Sequence, residues 1–424
     1  MNQNAVADVL NRSCHCINVD RDALQGSLEE RFGETGVWSR LQLSHPHLFA
    51  DSPVFVSPDQ VAGMRAIIDT IEQVVSLDSY RDKVLAWAPA IARHDQGTQG
   101  VFFGYDFHLT NDGPQLIEIN TNAGGAMLLL HVASAQQACC DAVENFVAGQ
   151  TDLAGIEQTF VDMFRRELQS ALPGRELERI AIVDEEPDEQ FLGPEFTLFK
   201  RVFARYGIDA IVAAPGQFEL ADGALRADGK SVDLVYNRLT DFYLQSEACA
   251  ALNAAYRSNA AVITPGPSAH AVYANKRNLT LLSDAEALRE LGVDKASIAA
   301  LVEGIPATVR VTQDTAETLW ARRRQLFFKP FWGFGSRGTY KGAKLTRKTW
   351  ARLINADYIA QQLVPPSERL VVDRGNEQTL KLDVRCFTYG GALQLLGARL
   401  YRGQTTNLRT AGGGLATVFT TPVP

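Results

Sequence analysis

The sequence predicts a mixed α/β fold of the α+β kind, and three stretches support this prediction. Residues 104–126 have the pattern of two strands joined by a tight turn. Residues 178–268 alternate between strand-like and helix-like segments, which is typical of a small open α/β sheet. Residues 326–338 combine a strand-like LFFKP run with a glycine-rich loop. The first 100 residues look mainly helical.

The composition limits the classes of function. The chain has 424 residues, enough for two or three domains, and 46% of them are hydrophobic. The formal net charge of −8 argues against a general affinity for nucleic acid. No apolar run is long enough to span a bilayer, and the N-terminus lacks the apolar core of a signal peptide. We therefore expect a soluble cytoplasmic protein with no nucleic-acid or membrane partner.

The six cysteines suggest neither a disulfide scaffold nor a zinc site. Cys14 and Cys16 flank a histidine, and Cys139 and Cys140 are adjacent, so neither pair has C-x-x-C spacing. We interpret them as incidental thiols.

The predicted hairpin carries three oxygen-bearing side chains that we expect to converge. Asp106 lies on its first strand, and Glu118 and Asn120 lie two apart on its second strand, so both point to one face. The turn at residues 111–114 folds the strands together. Hard oxygen ligands of this kind suit Mg²⁺ better than zinc. An ordinary hairpin with a polar, wet face is the alternative.

Helices are predicted on both sides of the hairpin. Ser57-Pro58-Asp59 is a start signal for a helix that runs to about residue 77. Residues 127–147 and 155–168 continue the helical pattern beyond the hairpin. Gly124 and Gly125 form the turn between, and we expect their backbone N–H groups to face a phosphate or a carboxylate.

The open sheet of residues 178–268 has one candidate for ligand binding. Arg238 follows the strand VDLVYN, and the carboxyl ends of strands are where such sheets bind ligands. A substrate carboxylate would suit its guanidinium. A salt bridge to a neighbouring loop explains it equally well.

The late glycine-rich loop is a candidate phosphate site. Lys329 ends the strand LFFKP, and the loop FWGFGSRG follows, so backbone N–H groups there can approach phosphate oxygens. The loop is not a Walker A motif, because G-x-x-x-x-G-K-[ST] is absent. A glycine-rich surface loop is the alternative. Lys276 lies near the start of another predicted helix.

Several of these motifs resemble one known superfamily. The Asp and Glu-x-Asn hairpin resembles the metal-binding hairpin of ATP-grasp ligases. The runs KLDVRCFTYGG and TTNLRTAGGG are similar to a motif of ATP-grasp amide ligases, and YNR, PGPSAHAVYANK and the strand-KP-glycine loop are similar to glutathione synthetases. The early hairpin and late phosphate loop resemble the circularly permuted branch, which includes eukaryotic glutathione synthetase. The likeness covers about residues 101–424.

This resemblance implies an ATP-grasp fold in permuted order, divided into four regions. They are a helical N-terminal region at 1–100, the metal-binding hairpin and its covering helices at 101–175, a small α/β substrate domain at 176–268, and a nucleotide-binding part with glycine-rich flaps at 269–424.

The resemblance also implies ATP and two Mg²⁺ ions as cofactors, with roles for individual residues. Metal ligands would be Asp106, Glu118 and Asn120. Contacts to ATP would come from Lys276, Lys329, Gly335, Ser336, Gly338, Gln362, Leu363, Val364 and Glu368. Residues near the γ-phosphate and the acyl group would be Arg385, Arg399, Asn407 and Arg238. Substrate contacts would come from Asn122, Gly124, Gly125, Arg402, Arg409, Gly412, Gly413 and Gly414.

The chain departs from its apparent relatives at two places. Gly104 stands where many of them have an arginine that helps to hold an acyl phosphate. The flap FWGFGSRG lacks the glutamate of eukaryotic glutathione synthetases, so Asp106 would have to serve as the third metal ligand. Both departures argue against glutathione synthesis as the reaction.

The implied activity is an ATP-dependent carboxylate–amine ligase that works through an acyl phosphate and releases ADP and phosphate. Its partners would be a small acid and an amine, of amino-acid or peptide type. A phosphotransferase on the same scaffold and a nucleotide-binding regulatory module without catalysis stay open. The sequence also leaves the oligomeric state open, a homodimer included.

Overall fold

We describe a computed structural model of the chain. It covers residues 3–138, 153–333, 335, 337–373 and 375–421. The helices are α1 Gln3–Ser13, α2 Arg21–Phe32, α3 Val37–Ser44, α4 Pro58–Val75, α5 Asp78–Leu85, α6 Ala126–Ser134, α7 Leu153–Ala171, α8 Gly193–Arg205, α9 Ala250–Ser258, α10 Ala285–Glu290, α11 Lys295–Gly304, α12 Ala316–Arg322 and α13 Arg347–Leu353. Short helical turns lie at Ala90–Arg93, Pro215–Gln217, Glu247–Cys249, Pro267–Ala269, His270–Ala274, Lys276–Asn278, Leu279–Leu282, Arg323–Gln325 and Gly342–Lys344.

The strands form five sheets within the described residues. They are β1 Ile17–Val19, β2 Val54–Val56, β3 Phe103–Thr110, β4 Gly113–Asn120, β5 Gln136–Ala138, β6 Arg179–Val183, β7 Asp209–Ala213, β8 Phe218–Ala221, β9 Ala224–Ala227, β10 Lys230–Ser231, β11 Leu234–Asn237, β12 Val262–Thr264, β13 Thr308–Arg310, β14 Leu326–Pro330, β15 Tyr340–Lys341, β16 Tyr358–Gln362, β17 Ser367–Asp373, β18 Asn376–Tyr389, β19 Ala392–Tyr401 and β20 Gly414–Thr420.

The largest sheet contains the predicted hairpin. Its strand order is β2-β20-β19-β18-β3-β4, with β17 paired to the first half of β18. The β3–β4 turn lies at residues 111–112, inside the predicted stretch. Tyr105 and Cys386 are paired and face α4, where the Tyr105 hydroxyl donates to Glu72 at 2.9 Å. The opposite face therefore carries the polar side chains of β3, β18 and β19.

Two smaller sheets flank this one. The sheet β12-β11-β6-β7 lies within residues 178–268, where the alternating pattern predicts a small open α/β sheet, and the structure shows that it is entirely parallel. The antiparallel sheet β13-β16-β14-β15 carries the strand LFFKP and the glycine-rich loop after it. Helix α4 begins as predicted, because Ser57 and Gln60 form a reciprocal capping box.

An aromatic cluster fixes the chain where it enters β3. Phe102 is fully buried and has a positive φ of 52°. Its ring meets Phe160 at 4.8 Å, Phe199 at 5.4 Å and Tyr236 at 5.9 Å between centroids. Because these rings come from α7, α8 and β11, the parallel sheet and its helices hold the start of the hairpin in place.

The prediction of one helix over residues 127–147 is wrong. Helix α6 ends at Ser134, and residues 136–138 form β5, which pairs antiparallel with β1. The apolar spacing in this stretch is helical, but pairing with a distant strand overrides local propensity. The remainder of the predicted helix, with Cys139 and Cys140, lies outside the described residues. In the part of the chain that the structure describes, no helix is long and apolar enough to cross a membrane.

The N-terminal helix is joined to the large sheet by a buried arginine. Arg369 on β17 is fully buried, and its guanidinium donates to the carbonyl groups of Pro53 at 2.8 Å, Asn11 at 2.8 Å and Cys14 at 2.6 Å. These carbonyl groups lie in two separate segments, the end of α1 and the residue before β2. The Arg369 guanidinium therefore supplies the hydrogen-bond donors that these backbone carbonyl groups require.

We predict that Arg369→Ala lowers the free energy of unfolding by about 3 kcal/mol, because it leaves several buried carbonyl groups unsatisfied. Urea unfolding followed by circular dichroism measures this change. The exposed Arg12, replaced by alanine, is the control and should shift the midpoint very little. Equal effects of the two substitutions would contradict the role of Arg369.

Candidate active site

Three side chains of the hairpin converge on the polar face of the large sheet. Asp106 on β3 lies opposite Glu118 on β4, and the strands are held in register by backbone pairing. The Asn120 side chain donates from Nδ2 to Asp106 Oδ2 at 3.1 Å and to Glu118 Oε1 at 3.1 Å. This bond pattern turns the amide oxygen of Asn120 away from both carboxylates. The set combines two carboxylates and one amide.

Two arginines from neighbouring strands bind Asp106. Arg385 donates from Nε at 2.6 Å and from Nη2 at 2.8 Å, and Arg399 reaches the same carboxylate at 2.9 Å. Burial raises the pKa of Asp106, but the two guanidinium charges outweigh it and lower that pKa to about 2. Arg399 also donates to Asp383 at 2.7 Å, so a second carboxylate fixes its orientation.

Two lysines reach the hairpin from other parts of the chain. Lys276 Nζ lies 3.6 Å from Glu118 Oε2 and donates to the Gly333 carbonyl group at 2.7 Å. Lys329 Nζ donates to the Ile117 carbonyl group at 2.7 Å and to Gln361 Oε1 at 2.8 Å. The late glycine-loop strand and the early hairpin therefore meet in space.

The pKa values in this cluster reflect burial and charge together. Burial lowers the pKa of Lys329 to about 8, and the charge of Glu118 opposes that shift. Burial raises the pKa of Glu118, but the charges of Lys276 and Lys329 lower it overall. The Glu118 side chain keeps 29% of its exposure, so this carboxylate is open to a ligand.

The charges of the cluster nearly balance. Three carboxylates face four cations, which gives a formal charge of +1 on one side of the sheet. Each cation comes from a different strand or turn. Asn120 bridges Asp106 and Glu118 and so links the ion pairs of the arginines to that of Lys276, while Lys329 joins the cluster through the Ile117 carbonyl group and Gln361. The members are Asp106, Glu118, Asp383, Lys276, Lys329, Arg385 and Arg399.

The glycine-rich loop lies beside this cluster. Gly335 and Gly338 are exposed and have positive φ values of 54° and 68°, which suit glycine. The Tyr358 hydroxyl donates to the Gly338 carbonyl group at 2.9 Å. Trp332 packs edge-on against Tyr243 of the parallel-sheet region at 5.5 Å. Phe334 and Ser336 lie outside the described residues.

The residues that the resemblance assigns to ATP contacts around residues 362–368 lie at the end of β16 and in the segment after it. Gln362 is exposed, whereas Gln361 is buried and meets Lys329. The Leu363 backbone N–H donates to the Gln325 carbonyl group at 2.8 Å, and the Val364 carbonyl group contacts His108 at 2.9 Å. Glu368 is exposed on β17, opposite Lys381.

Arg238 pairs with a carboxylate of the chain itself. Its Nη1 lies 3.5 Å from Glu195 Oε2 and donates to the Tyr236 hydroxyl at 2.8 Å. Burial lowers the pKa of Arg238, but Tyr236 and Glu195 raise it overall. Glu195 also accepts the backbone N–H of Gly125 at 2.9 Å.

The loop that joins the hairpin to α6 is closely packed against this ion pair. A side chain at Gly124 would collide with the guanidinium of Arg238. The Asn122 amide donates to the Leu239 carbonyl group at 3.0 Å. The carboxylate predicted to meet the Gly125 N–H therefore belongs to Glu195, not to a ligand, in this structure.

The loop between β19 and β20 is folded on itself. Asn407 donates to the Arg402 carbonyl group at 2.8 Å and accepts from the Arg409 N–H at 3.1 Å and the Thr410 hydroxyl at 2.9 Å. Arg402 and Arg409 are exposed, and Arg409 lies over the ring of Phe191 at 5.5 Å.

The glycines at the end of this loop fit tight backbone contacts. A side chain at Gly413 would collide with the Leu400 carbonyl group, and one at Gly414 with the His47 and Leu48 carbonyl groups. Gly412 has a positive φ of 72° beside Asp373 and Gln378. All three therefore serve the entry into β20 as well as any closure over substrate.

Sequence reasoning missed three residues of this site. Asp383 lies two positions before Arg385 on β18, so the strand period alone puts both on one face. Gln361 and Glu195 gave no comparable signal, because their contacts join segments far apart in sequence.

The donor set fits a hard divalent cation. In the described ranges no group of three His, Cys, Asp or Glu side chains could hold a metal. Glu118 and Asn120 nevertheless present a part-exposed carboxylate and an amide oxygen on one face, which are ligand types that Mg²⁺ accepts alongside phosphate oxygens. The Asp106 carboxylate differs from both as a metal ligand, because it already forms ion pairs with Arg385 and Arg399.

Comparison with known proteins adds the fold-level context. No protein family model and no curated protein matches the sequence. A glutathione synthetase-like effector from Globodera pallida has a TM-score of 0.58 over 95% of this chain and 98% of that chain, at 11% sequence identity. A putative γ-glutamylcysteine synthetase from Methylobacillus flagellatus KT has a TM-score of 0.46 over 85% and 87%, at 10% identity.

The ATP-grasp ligase PsnB, solved with a minimal precursor, Mg and ADP, has a TM-score of 0.29 over 56% of this chain and 87% of that chain, at 14% identity. At such low identities the likeness defines a fold and not a reaction. The effector from Globodera pallida matches over nearly the whole length of both chains. The chain therefore has the fold of this glutathione synthetase-like effector.

Proposed function

We propose that the protein is an ATP-dependent carboxylate–amine ligase that forms an acyl phosphate and releases ADP and phosphate. One observation carries this proposal. Lys329, from the strand before the glycine-rich loop, lies against the hairpin strand that bears Glu118 and Asn120. A cationic side chain and a hard-oxygen donor set on facing sheets are the elements that a magnesium triphosphate requires.

Mg²⁺ would bind beside Glu118, and Asn120 would join it as a ligand once its amide turns the oxygen toward the ion. Neither side chain is bound by an arginine, and the Glu118 carboxylate keeps access to solvent. When bound there, Mg²⁺ would neutralise phosphate charge and polarise the γ-phosphoryl group. The second ion implied by the family resemblance would need Asp106, which would have to share its carboxylate with Arg385 and Arg399.

The arginines have a different proposed part in the reaction. A substrate carboxylate and a triphosphate repel one another, so positive charge must be present where they meet. Arg385 and Arg399 provide it, and Asp106 and Asp383 hold both guanidinium groups in fixed orientations before any ligand arrives. Groups oriented in this way need no reorganisation as negative charge develops in the transition state.

The remaining chain residues bind and enclose the reactants. Lys276 and Lys329 would contact phosphate oxygens from the side opposite the arginines. The glycine loop at Gly335 and Gly338 would close over them, because water in the site would hydrolyse an acyl phosphate. An amine then attacks the acyl carbon and phosphate leaves.

The family likeness also suggests which residues bind the substrate, but two of these residues form bonds within the chain. Arg238 pairs with Glu195, and Asn407 is bonded within its own loop. Substrate binding by these two residues would require exchange of those bonds. The exposed Arg402 and Arg409 stay available for an anionic acid or peptide at the rim.

A phosphotransferase is the second candidate. Such enzymes often use a catalytic histidine, and His270 is the last histidine in the sequence. Its imidazole is buried and stacks on Phe242 at 3.8 Å between centroids, and burial with the charge of Lys276 lowers its pKa to about 3. The enclosed ring disfavours it as a phosphate carrier, which favours the ligase.

The experiment that tests the proposal measures ADP release against a panel of amino acids, peptides and polyamines, with mass spectrometry of the products. We expect ADP formation to depend on both an acid and an amine, and the product mass to equal their sum minus water. ADP with a phosphorylated acid and no amine dependence would indicate a phosphotransferase. Nucleotide binding without ADP release under every pair would indicate a regulatory module.

We predict that Glu118→Gln lowers kcat by about 100-fold, since one pre-set contact of this kind is typically worth about 3 kcal/mol. The change keeps the shape of the side chain, so the melting temperature should move little. Glu303→Gln, on the exposed surface of α11, is the matched control and should keep full activity. A Glu118→Gln protein with a near-normal rate would exclude Glu118 as a metal ligand.

We predict that nucleotide affinity falls by about tenfold between pH 7 and pH 9. Lys329 has a pKa of about 8, so it is charged below pH 8 and becomes neutral as the pH rises through that value. The neutral amine no longer attracts phosphate. Calorimetric titration with ADP and Mg²⁺ at both pH values, in two buffers of different ionisation enthalpy, should also reveal proton uptake near pH 8.

Lys329→Arg provides the control for this pH dependence, because a guanidinium stays charged throughout that range. Its affinity should be nearly equal at pH 7 and pH 9. If the natural protein binds equally well at both values, Lys329 does not contact the phosphates.

A further inference from the structure

A strongly basic surface lies next to, but outside, the proposed active site. Between Glu317 and Asp357 the chain holds ten of its 41 Lys and Arg residues and none of its 49 acidic residues. The rest of the chain therefore carries 31 basic and 49 acidic side chains, a formal charge of −18, against +10 in this stretch. Such a separation of charge marks one part of the surface for an anionic partner.

Six of these basic residues form one continuous surface, which we call the basic face. The turn after α12 packs against the turn before α13, because a side chain at Gly342 would collide with the Arg323 carbonyl group. Arg323, from the first turn, and Arg347, at the start of α13, both lie over the ring of Trp320, at 4.0 Å and 4.2 Å from its centroid. The members of the basic face are Arg322, Arg323, Arg324, Lys344, Arg347 and Lys348.

The basic face is not neutralised by ion pairs within the described ranges. Arg323 is half-buried and the other five side chains are exposed. Among the ion pairs of the described residues, none involves any of the six. Like charges held this close repel each other, so an anion bound across them relieves an unfavourable interaction.

The chemistry of the basic face favours carboxylates over nucleic-acid bases. Trp320 has two guanidinium groups at 4.0 Å and 4.2 Å and the Trp350 ring at 5.7 Å from its centroid, so its surroundings leave little room for a base to stack. Stacking also holds both guanidinium planes in place, and their forks suit carboxylate oxygens. The net charge of −18 on the rest of the chain repels a long polyanion that extends beyond the face.

We propose that the basic face binds a short segment rich in Asp and Glu from a partner protein. The proposal stands apart from the ligase reaction, because no member of the basic face belongs to the cluster around Asp106. A short acidic segment matches the extent of the face and avoids the acidic remainder of the surface. Most of the attraction is electrostatic, so it weakens with added salt.

The test is fluorescence anisotropy with a labelled peptide of ten alternating Glu and Asp residues. We expect saturable binding to the full-length protein at low salt that weakens as salt is added. The triple variant Arg324→Glu, Lys344→Glu and Lys348→Glu should bind at least about tenfold more weakly. The control variant Lys83→Glu, Lys200→Glu and Lys230→Glu makes the same change in net charge on exposed lysines elsewhere and should bind within about twofold of the natural protein.

Several outcomes would overturn the proposal. They are the absence of saturable peptide binding, and equal weakening in the two triple variants. A single-stranded oligonucleotide of ten bases or phosphatidylserine vesicles that bind more tightly than the peptide, with the same loss in the basic-face variant, would assign the face to another class of partner. Both triple variants should keep the nucleotide affinity of the natural protein, which separates this test from that of the proposed function.

Discussion

The site depends on one buried carboxylate and the two arginines that bind it. The Asp106 carboxylate accepts hydrogen bonds from Nε and Nη2 of Arg385 and pairs with Nη2 of Arg399. It also accepts a hydrogen bond from the Asn120 amide. Removing the carboxylate would leave the buried Arg385 without its carboxylate and Arg399 with Asp383 alone, which is far more costly than losing an exposed ion pair. The register of three strands is therefore coupled to the charge of one side chain.

The ion pairs of Asp106 are part of a cluster of seven charged groups whose partners come from the chain itself. The arginines are satisfied by Asp106 and Asp383, and the lysines by Glu118, a backbone carbonyl group and Gln361. The surplus is a single positive charge on the polar face. A net positive charge held by fixed ion pairs favours an anion, which is what a nucleotide-binding enzyme of the proposed kind needs.

Most of the strands and helices around the site were predicted from the sequence. The hairpin, the parallel sheet, the strand before the glycine loop and the capped start of α4 all follow from short-range periodicity and turn chemistry. The helix predicted over 127–147 was wrong because β5 pairs with β1, more than 100 residues earlier in the chain. Local patterns carry no information about such a partner.

The sequence by itself determined which chemical groups are available and which strand faces carry them, because side-chain direction along a strand follows from a period of two. It placed Asp106, Glu118 and Asn120 together for that reason. Only the tertiary structure decided which side chains form ion pairs and hydrogen bonds with the residues of the site. Asp106 forms ion pairs with Arg385 and Arg399. Glu195 forms an ion pair with Arg238 and accepts a hydrogen bond from the Gly125 N–H. Lys329 donates a hydrogen bond to Gln361 rather than to Gln362. These pairings form across long sequence separations, where burial and geometry, not spacing, select one partner among several.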